Sequence, residues 1–131
     1  MFGLDIFEHF NPNKLDRYIR KIYESLENNG YLFCNIPAFG EDEVFGTVFP
    51  VYLDDWNKDI RSSRNFHLID CDEQGYPKNG HLVWASTQWW VAQFEKAGFT
   101  RDTRRERMIH QKYDEKLYIA RKSFYVFKKA D

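Results

Sequence analysis

Between Leu15 and Leu26 the apolar residues fall at Leu15, Ile19, Ile22 and Leu26, spacings of four, three and four that place them on one face of a helix. Tyr18 and Tyr23 widen that face, while Asp16, Arg17, Arg20, Lys21 and Glu24 supply the polar side. Asn13, just after Asn11-Pro12, is the expected N-cap. Asn28-Asn29-Gly30 is the expected stop, with Gly30 suited to the left-handed position after a helix. Phe2 to Phe7 is mostly apolar and reads as a short strand. Tyr31 to Ile36 is a continuous apolar run, the pattern of a strand covered on both faces. Strand, helix, Gly turn and strand together predict a right-handed βαβ crossover.

The stretch 37–85 is less regular. Pro37-Ala38-Phe39-Gly40 leaves the strand end, Glu41-Asp42-Glu43 is acidic, and aromatic residues are scattered through Phe45, Phe49, Tyr52, Trp56, Phe66, Tyr76 and Trp84. Gly75-Tyr76-Pro77-Lys78-Asn79-Gly80 is a turn signal. A long insertion after a central strand predicts a lid or substrate cap. A second helix is expected from Ser86 to Ala97, capped by Ser86 or Thr87, carrying Trp90, Val91 and Phe94 on its apolar face and closed by Gly98. Trp89 and Trp90 are adjacent, so they point to different sides and one belongs in the core. Phe99 to Tyr113, polar and rich in arginine, is read as an exposed strand, and Asp114-Glu115-Lys116 as a turn. Ser123 to Phe127 is read as a final strand pairing back on the one before. The expectation is one α/β domain over 1–131, with 37–85 as an inserted cap.

Composition adds three limits. At 131 residues and 43% apolar, the chain has the material for one folded core. A formal net charge of −1 gives no global attraction for nucleic acid or acidic membranes, and no apolar run approaches the ~20 residues of a bilayer span. The N-terminus lacks the basic and apolar regions of a signal peptide, so the expected compartment is the cytoplasm. Aromatic residues at 18% imply either a heavily aromatic core or an apolar face awaiting a partner or ligand. Cys34 reads as a buried thiol. Cys71, with His67 and His81, fits no compact zinc spacing, so no metal site is expected.

Three stretches carry a resemblance. They are Leu4-Asp5-Ile6-Phe7-Glu8-His9-Phe10, then Leu26 through Asn29-Gly30-Tyr31-Leu32-Phe33, then His81-Leu82-Val83-Trp84-Ala85-Ser86 through Trp89-Trp90 and on to Phe94 and Gly98-Phe99. In this order the chain resembles the C-terminal half of a class I S-adenosylmethionine-dependent methyltransferase. The resemblance implies a partial Rossmann-like sheet of parallel strands, closed by a C-terminal antiparallel hairpin, with helices and an inserted cap. It implies a small-molecule acceptor and S-adenosylmethionine as methyl donor. Leu4, Asp5, Ile6 and Phe7 would touch that donor in a complete enzyme, and His9 would lie near the transfer site. The family's Gly-rich turn has no counterpart here. The seven glycines are Gly3, Gly30, Gly40, Gly46, Gly75, Gly80 and Gly98, and no two lie two residues apart. The expectation is therefore a fragment, or half of a split enzyme, that binds the donor weakly or not at all by itself. A possible homo-oligomer or a separate N-terminal half would complete it.

Each candidate residue has a plainer reading beside the functional one. His9 is the candidate general base, of the side-chain type that exchanges protons near neutral pH. Glu8 and His9 otherwise make structural hydrogen bonds at a helix start. Phe39, Phe45, Phe49, Trp56, Tyr76 and Trp84 are candidate acceptor contacts, or else pack a satellite core. The cluster Arg101, Arg104, Arg105 and Arg107, with Asp102 and Glu106 interleaved, is read as a solvated strand face and not as a nucleic-acid surface. A non-catalytic module that pairs its sheet edge with another chain is the competing reading.

Overall fold

The computed structural model describes residues 1–48, 66–68, 73, 82–113 and 122–130. Among these are eight strands and three helices. They are β1 (Phe2–Leu4), α1 (Leu15–Ser25), β2 (Tyr31–Asn35), β3 (Ala38–Asp42), β4 (Gly46–Val48), β5 (Phe66–Leu68), β6 (Val83–Ser86), α2 (Thr87–Lys96), β7 (Phe99–Arg101), α3 (Thr103–Tyr113) and β8 (Phe124–Lys129). They form two mixed sheets, ordered β1-β2-β8-β7 and β4-β3-β6-β5. The expected turn at Asp114-Glu115-Lys116 lies outside the described residues.

The apolar stripe of α1 docks as its spacing requires, with Leu15 and Ile19 fully enclosed. Its ends differ in detail from expectation. The cap is Asn11, whose side chain accepts from the Asn13 N–H at 2.9 Å and starts a short 3-10 turn, Pro12–Lys14, with proline at its first position. The helix stops at Ser25, and Asn29, not Gly30, takes the left-handed backbone with φ 61°. Asparagine tolerates that conformation through its short polar side chain. Gly98 does close α2 as expected, at φ 106°.

In the first sheet β1 and β2 run parallel, and β8 is antiparallel to both β2 and β7. Residues directly opposite share a face, so Gly3, Cys34 and Tyr125 look one way and Phe2, Phe33 and Val126 the other. The first of these faces is the core side. Phe94 of α2 stacks on Phe127 with centroids 4.3 Å apart, and Phe7 meets Phe94 edge-on at 5.1 Å. Gly3 leaves room for the Phe7 ring, which a Cβ there would meet at 2.9 Å. Trp90 is the enclosed member of the Trp pair and Trp89 is half-buried.

Two expectations are corrected. Pro37–Gly40 does not simply leave the sheet: Ala38–Asp42 opens the second sheet, pairing antiparallel with β4 and parallel with β6. Phe99–Tyr113 is not one exposed strand. It is a three-residue strand followed by a helix, because Asp102 accepts the Arg105 N–H at 2.9 Å and so caps α3. The buried positions of α3 are Glu106 and His110, four apart.

Candidate functional site

The carboxyl end of β1 holds the residues singled out from sequence. Asp5 takes a left-handed backbone, φ 51°, and its N–H donates to Asn35 O at 3.2 Å. This bends the chain out of the sheet into the 3-10 turn Phe7–His9. Of the proposed donor contacts, Leu4, Asp5 and Ile6 are exposed, whereas Phe7 is a core ring. His9 presents 43% of its side chain to solvent. Glu8, read from sequence as making structural hydrogen bonds with His9 at a helix start, has no exposed surface. Its carbonyl accepts from Leu82 N–H at 2.7 Å, which ties this turn to the segment entering β6.

Neither carboxylate oxygen of Glu8 has a hydrogen-bond partner, and His9 Nε2 stands 3.6 Å from Oε1, too far for a hydrogen bond. Burial pushes the Glu8 carboxyl up to about 7. Its own backbone N–H and His9 pull the other way, and Asp5 adds to the rise. Burial and the two acids Glu106 and Glu8 raise the Cys34 thiol, so it is an inert core group.

A second polar cluster was not anticipated. The Arg101 side chain, 10% exposed, forks onto Asp42 with two 2.9 Å bonds and onto Glu106 with two at 3.0 Å. Its guanidinium lies over the rings of Phe45 at 5.2 Å and Tyr125 at 5.6 Å. Glu106 Oε1 also accepts the Val126 N–H at 3.0 Å, and Asp42 Oδ1 those of Val44 and Phe45. Burial opposes ionisation of Asp42, but Arg101 and the two backbone N–H groups outweigh it and hold the carboxyl below its ordinary value. For Glu106 burial prevails over Arg101, and its carboxyl is raised. One cation shared between two buried acids accounts for the opposite directions. Burial opposes the charge on Arg101, but its two carboxylate partners outweigh that and bind its proton more tightly.

This cluster corrects the reading of the arginines as a solvated strand face. Arg101 is a buried tie between the two sheets, and Arg105 and Arg107 are exposed on α3, paired with Asp102 and Glu43. The interleaved acids that argued against a nucleic-acid surface are the arginines' partners. Among the aromatic candidates, Phe39 and Phe45 are core residues and offer no ring face to an acceptor. Phe49, Trp56, Tyr76 and the Trp84 side chain lie outside the described residues, as do Cys71 and His81.

Among the described residues no group of three or more His, Cys, Asp or Glu is placed to hold a metal ion, and no helix is long and apolar enough to cross a membrane. The Gly-rich turn that the resemblance associates with S-adenosylmethionine has no counterpart at Gly3, Gly46 or Gly98. Gly3 is filled against by Phe7, Gly98 meets the Tyr23 ring, and Gly46 turns the β3–β4 hairpin, so none of the three forms a cradle at the end of β1. Compared with models of known families and with curated proteins, the chain matches none.

Proposed function

We propose that the chain is the substrate-side portion of an S-adenosylmethionine-dependent methyltransferase fold, acting on a small molecule and inactive or weakly active alone. The observation that carries this reading is the first sheet. Parallel β1 and β2 are linked through α1, and antiparallel β8 is slotted between β2 and β7. That is the arrangement of parallel strands with a closing antiparallel pair that the sequence resemblance implies. The half-exposed His9 at the carboxyl end of β1 then lies on the acceptor side, where strand ends of such sheets carry their ligands. The second sheet, β4-β3-β6-β5, is the foundation of the cap.

The test is calorimetry with S-adenosylmethionine on the chain alone and on the chain fused behind a Gly-rich strand–helix unit. Binding is expected only in the fusion. Tight binding by the chain alone contradicts the division between donor and acceptor halves. A folded fusion that binds nothing contradicts the methyltransferase reading.

A specific observation favours a second reading, a dimerising or partner-binding module. Among the described residues β1 is the edge of its sheet, and Phe2 and Leu4 are 72% and 53% exposed on one face, flanked by exposed Met1 and Ile6. An apolar edge of this kind is a template for strand pairing. Light scattering decides: a monomer at high concentration removes this reading.

A further inference from the structure

The open side of β1 carries a defined hydrogen-bonding pattern. Phe33 N–H donates to Met1 O at 2.9 Å and Asp5 N–H donates to Asn35 O at 3.2 Å, so Met1, Gly3 and Asp5 are the residues that hold β1 to β2. Backbone groups alternate in direction along a strand, so the N–H and C=O of Phe2 and Leu4 point away from β2, to the edge. We infer that this edge takes up β1 of a second copy of the chain, running antiparallel about a two-fold axis at Gly3. The inference rests on the dimerising reading above and deepens it by naming the partner and the register.

Three observations select that partner. The first is the placement of donors and acceptors. Phe2 and Leu4 lie symmetrically about Gly3, so an antiparallel copy centred there sets each Phe2 opposite the other copy's Leu4. Each such pair exchanges two N–H···O bonds, and the two-fold axis makes the contact self-complementary. At the axis the two Gly3 residues form a non-hydrogen-bonded pair, where Cα atoms approach to about 4.5 Å, and neither brings a side chain to that approach.

The second is length. Asp5 bends the chain out of the sheet at φ 51°, so the edge ends at Leu4. A longer strand from another protein gains no further bonds beyond this bend, whereas a second β1 matches the edge residue for residue. The third is the side chains. Phe2 stacks on Phe33 at 5.1 Å on their shared face, and Tyr31, 6.2 Å from Phe33, continues the band. Pairing sets Leu4 of one copy beside Phe2 of the other and joins the two bands into one apolar strip across the axis. The exposed parts of Phe2, Leu4, Met1 and Ile6 come to roughly 400 Å² per copy, the size of patch that marks an interaction site but below a standard interface, so the dimer is weak and reversible.

The test is sedimentation equilibrium of the full chain over a concentration series reaching the millimolar range. The wild-type chain is expected to pass reversibly from monomer to dimer. Leu4→Pro removes one outward N–H and one side chain of the strip, touches no bond between β1 and β2, and is expected to stay monomeric. An equal dimer in Leu4→Pro overturns the inference. Register is read from thiols. A mixture of Phe2→Cys and Leu4→Cys chains is expected to form a disulfide between the two introduced thiols, identified by mass spectrometry, several-fold more than either variant forms with itself, because only the mixed pair stands directly opposite. Both variants replace exposed residues and keep the fold, so equal cross-linking in the mixture and in each variant alone overturns the inference even if Leu4→Pro is poorly folded. A wild-type monomer at every concentration overturns this inference and the dimerising reading together. A dimer indifferent to the β1 substitutions overturns the inference alone.

Discussion

Glu8 and Glu106 are both carboxylates with no exposed surface, both raised by burial, and both near Cys34. Their surroundings differ. Glu106 accepts from Arg101 and from the Val126 N–H, inside a cluster that also satisfies Asp42. Neither oxygen of the Glu8 carboxylate has a hydrogen-bond partner. The contrast separates two uses of a buried acid. Where every lone pair is occupied, the charge cross-links elements, here β3, β7, α3 and β8, and fixes how the two sheets meet. Where the lone pairs are empty, the carboxylate cross-links nothing, and burial alone raises it.

The sharpest way to break this comparison is to remove the shared cation. Arg101→Met leaves Asp42 and Glu106 buried without it and is expected to cost about 3–5 kcal/mol in denaturant unfolding. A loss under about 1 kcal/mol would mean the cluster is solvated and not a tie.

The next largest effect is a gain. The folded Glu8 carboxyl lies above its ordinary value of 4.5, so the native state holds this proton more tightly than the unfolded chain. Its contribution is present below pH 4.5 and is lost as pH rises through about 7. Glu8→Gln is therefore expected to be more stable than wild type at pH 8, by on the order of 2–3 kcal/mol, and to lose that advantage at pH 4.5. Equal stabilities at pH 8 would show that Glu8 has found a partner.

Asp42 titrates in the opposite sense. Its folded carboxyl lies below 3.8, so its contribution is present above that pH and lost as pH falls further. Asp42→Asn is expected to flatten the acid limb of the stability profile, and an unchanged limb would detach Asp42 from Arg101. The smallest change is expected at the β1 edge. Phe2→Ser with Leu4→Ser alters exposed positions and stays within about 0.5 kcal/mol of wild type, while abolishing any self-association that uses this edge.

The parts legible in sequence were those where burial is apolar. Leu15 and Ile19 on α1, the enclosed run of β2, Trp90 and Phe94 on α2, and Tyr125 to Phe127 on β8 all carry periodic or continuous hydrophobicity that tertiary packing then uses. The helix α3 was hidden because the residues it buries, Glu106 and His110, are polar, so its inward face reads as a surface. Its one local signal was Asp102 three residues before Arg105, a cap among arginines that drew attention to their charge. Arg101 was misread for the same reason: only the fold brings Asp42, 59 positions away, against it. At the candidate site, the Glu8-His9 pair was visible as a motif. Which of the two faces solvent was not, since that depends on the bend at Asp5 and on Leu82 closing over the turn.

The most direct measurement is a carbon NMR titration of the Glu8 carboxyl in the wild-type chain and in His9→Asn. A buried, unpartnered acid beside His9 is expected to titrate at about 7, and to move higher when His9 is replaced, because His9 favours its ionised form. A midpoint near the ordinary 4.5, indifferent to His9, would contradict the distinction between the two buried acids.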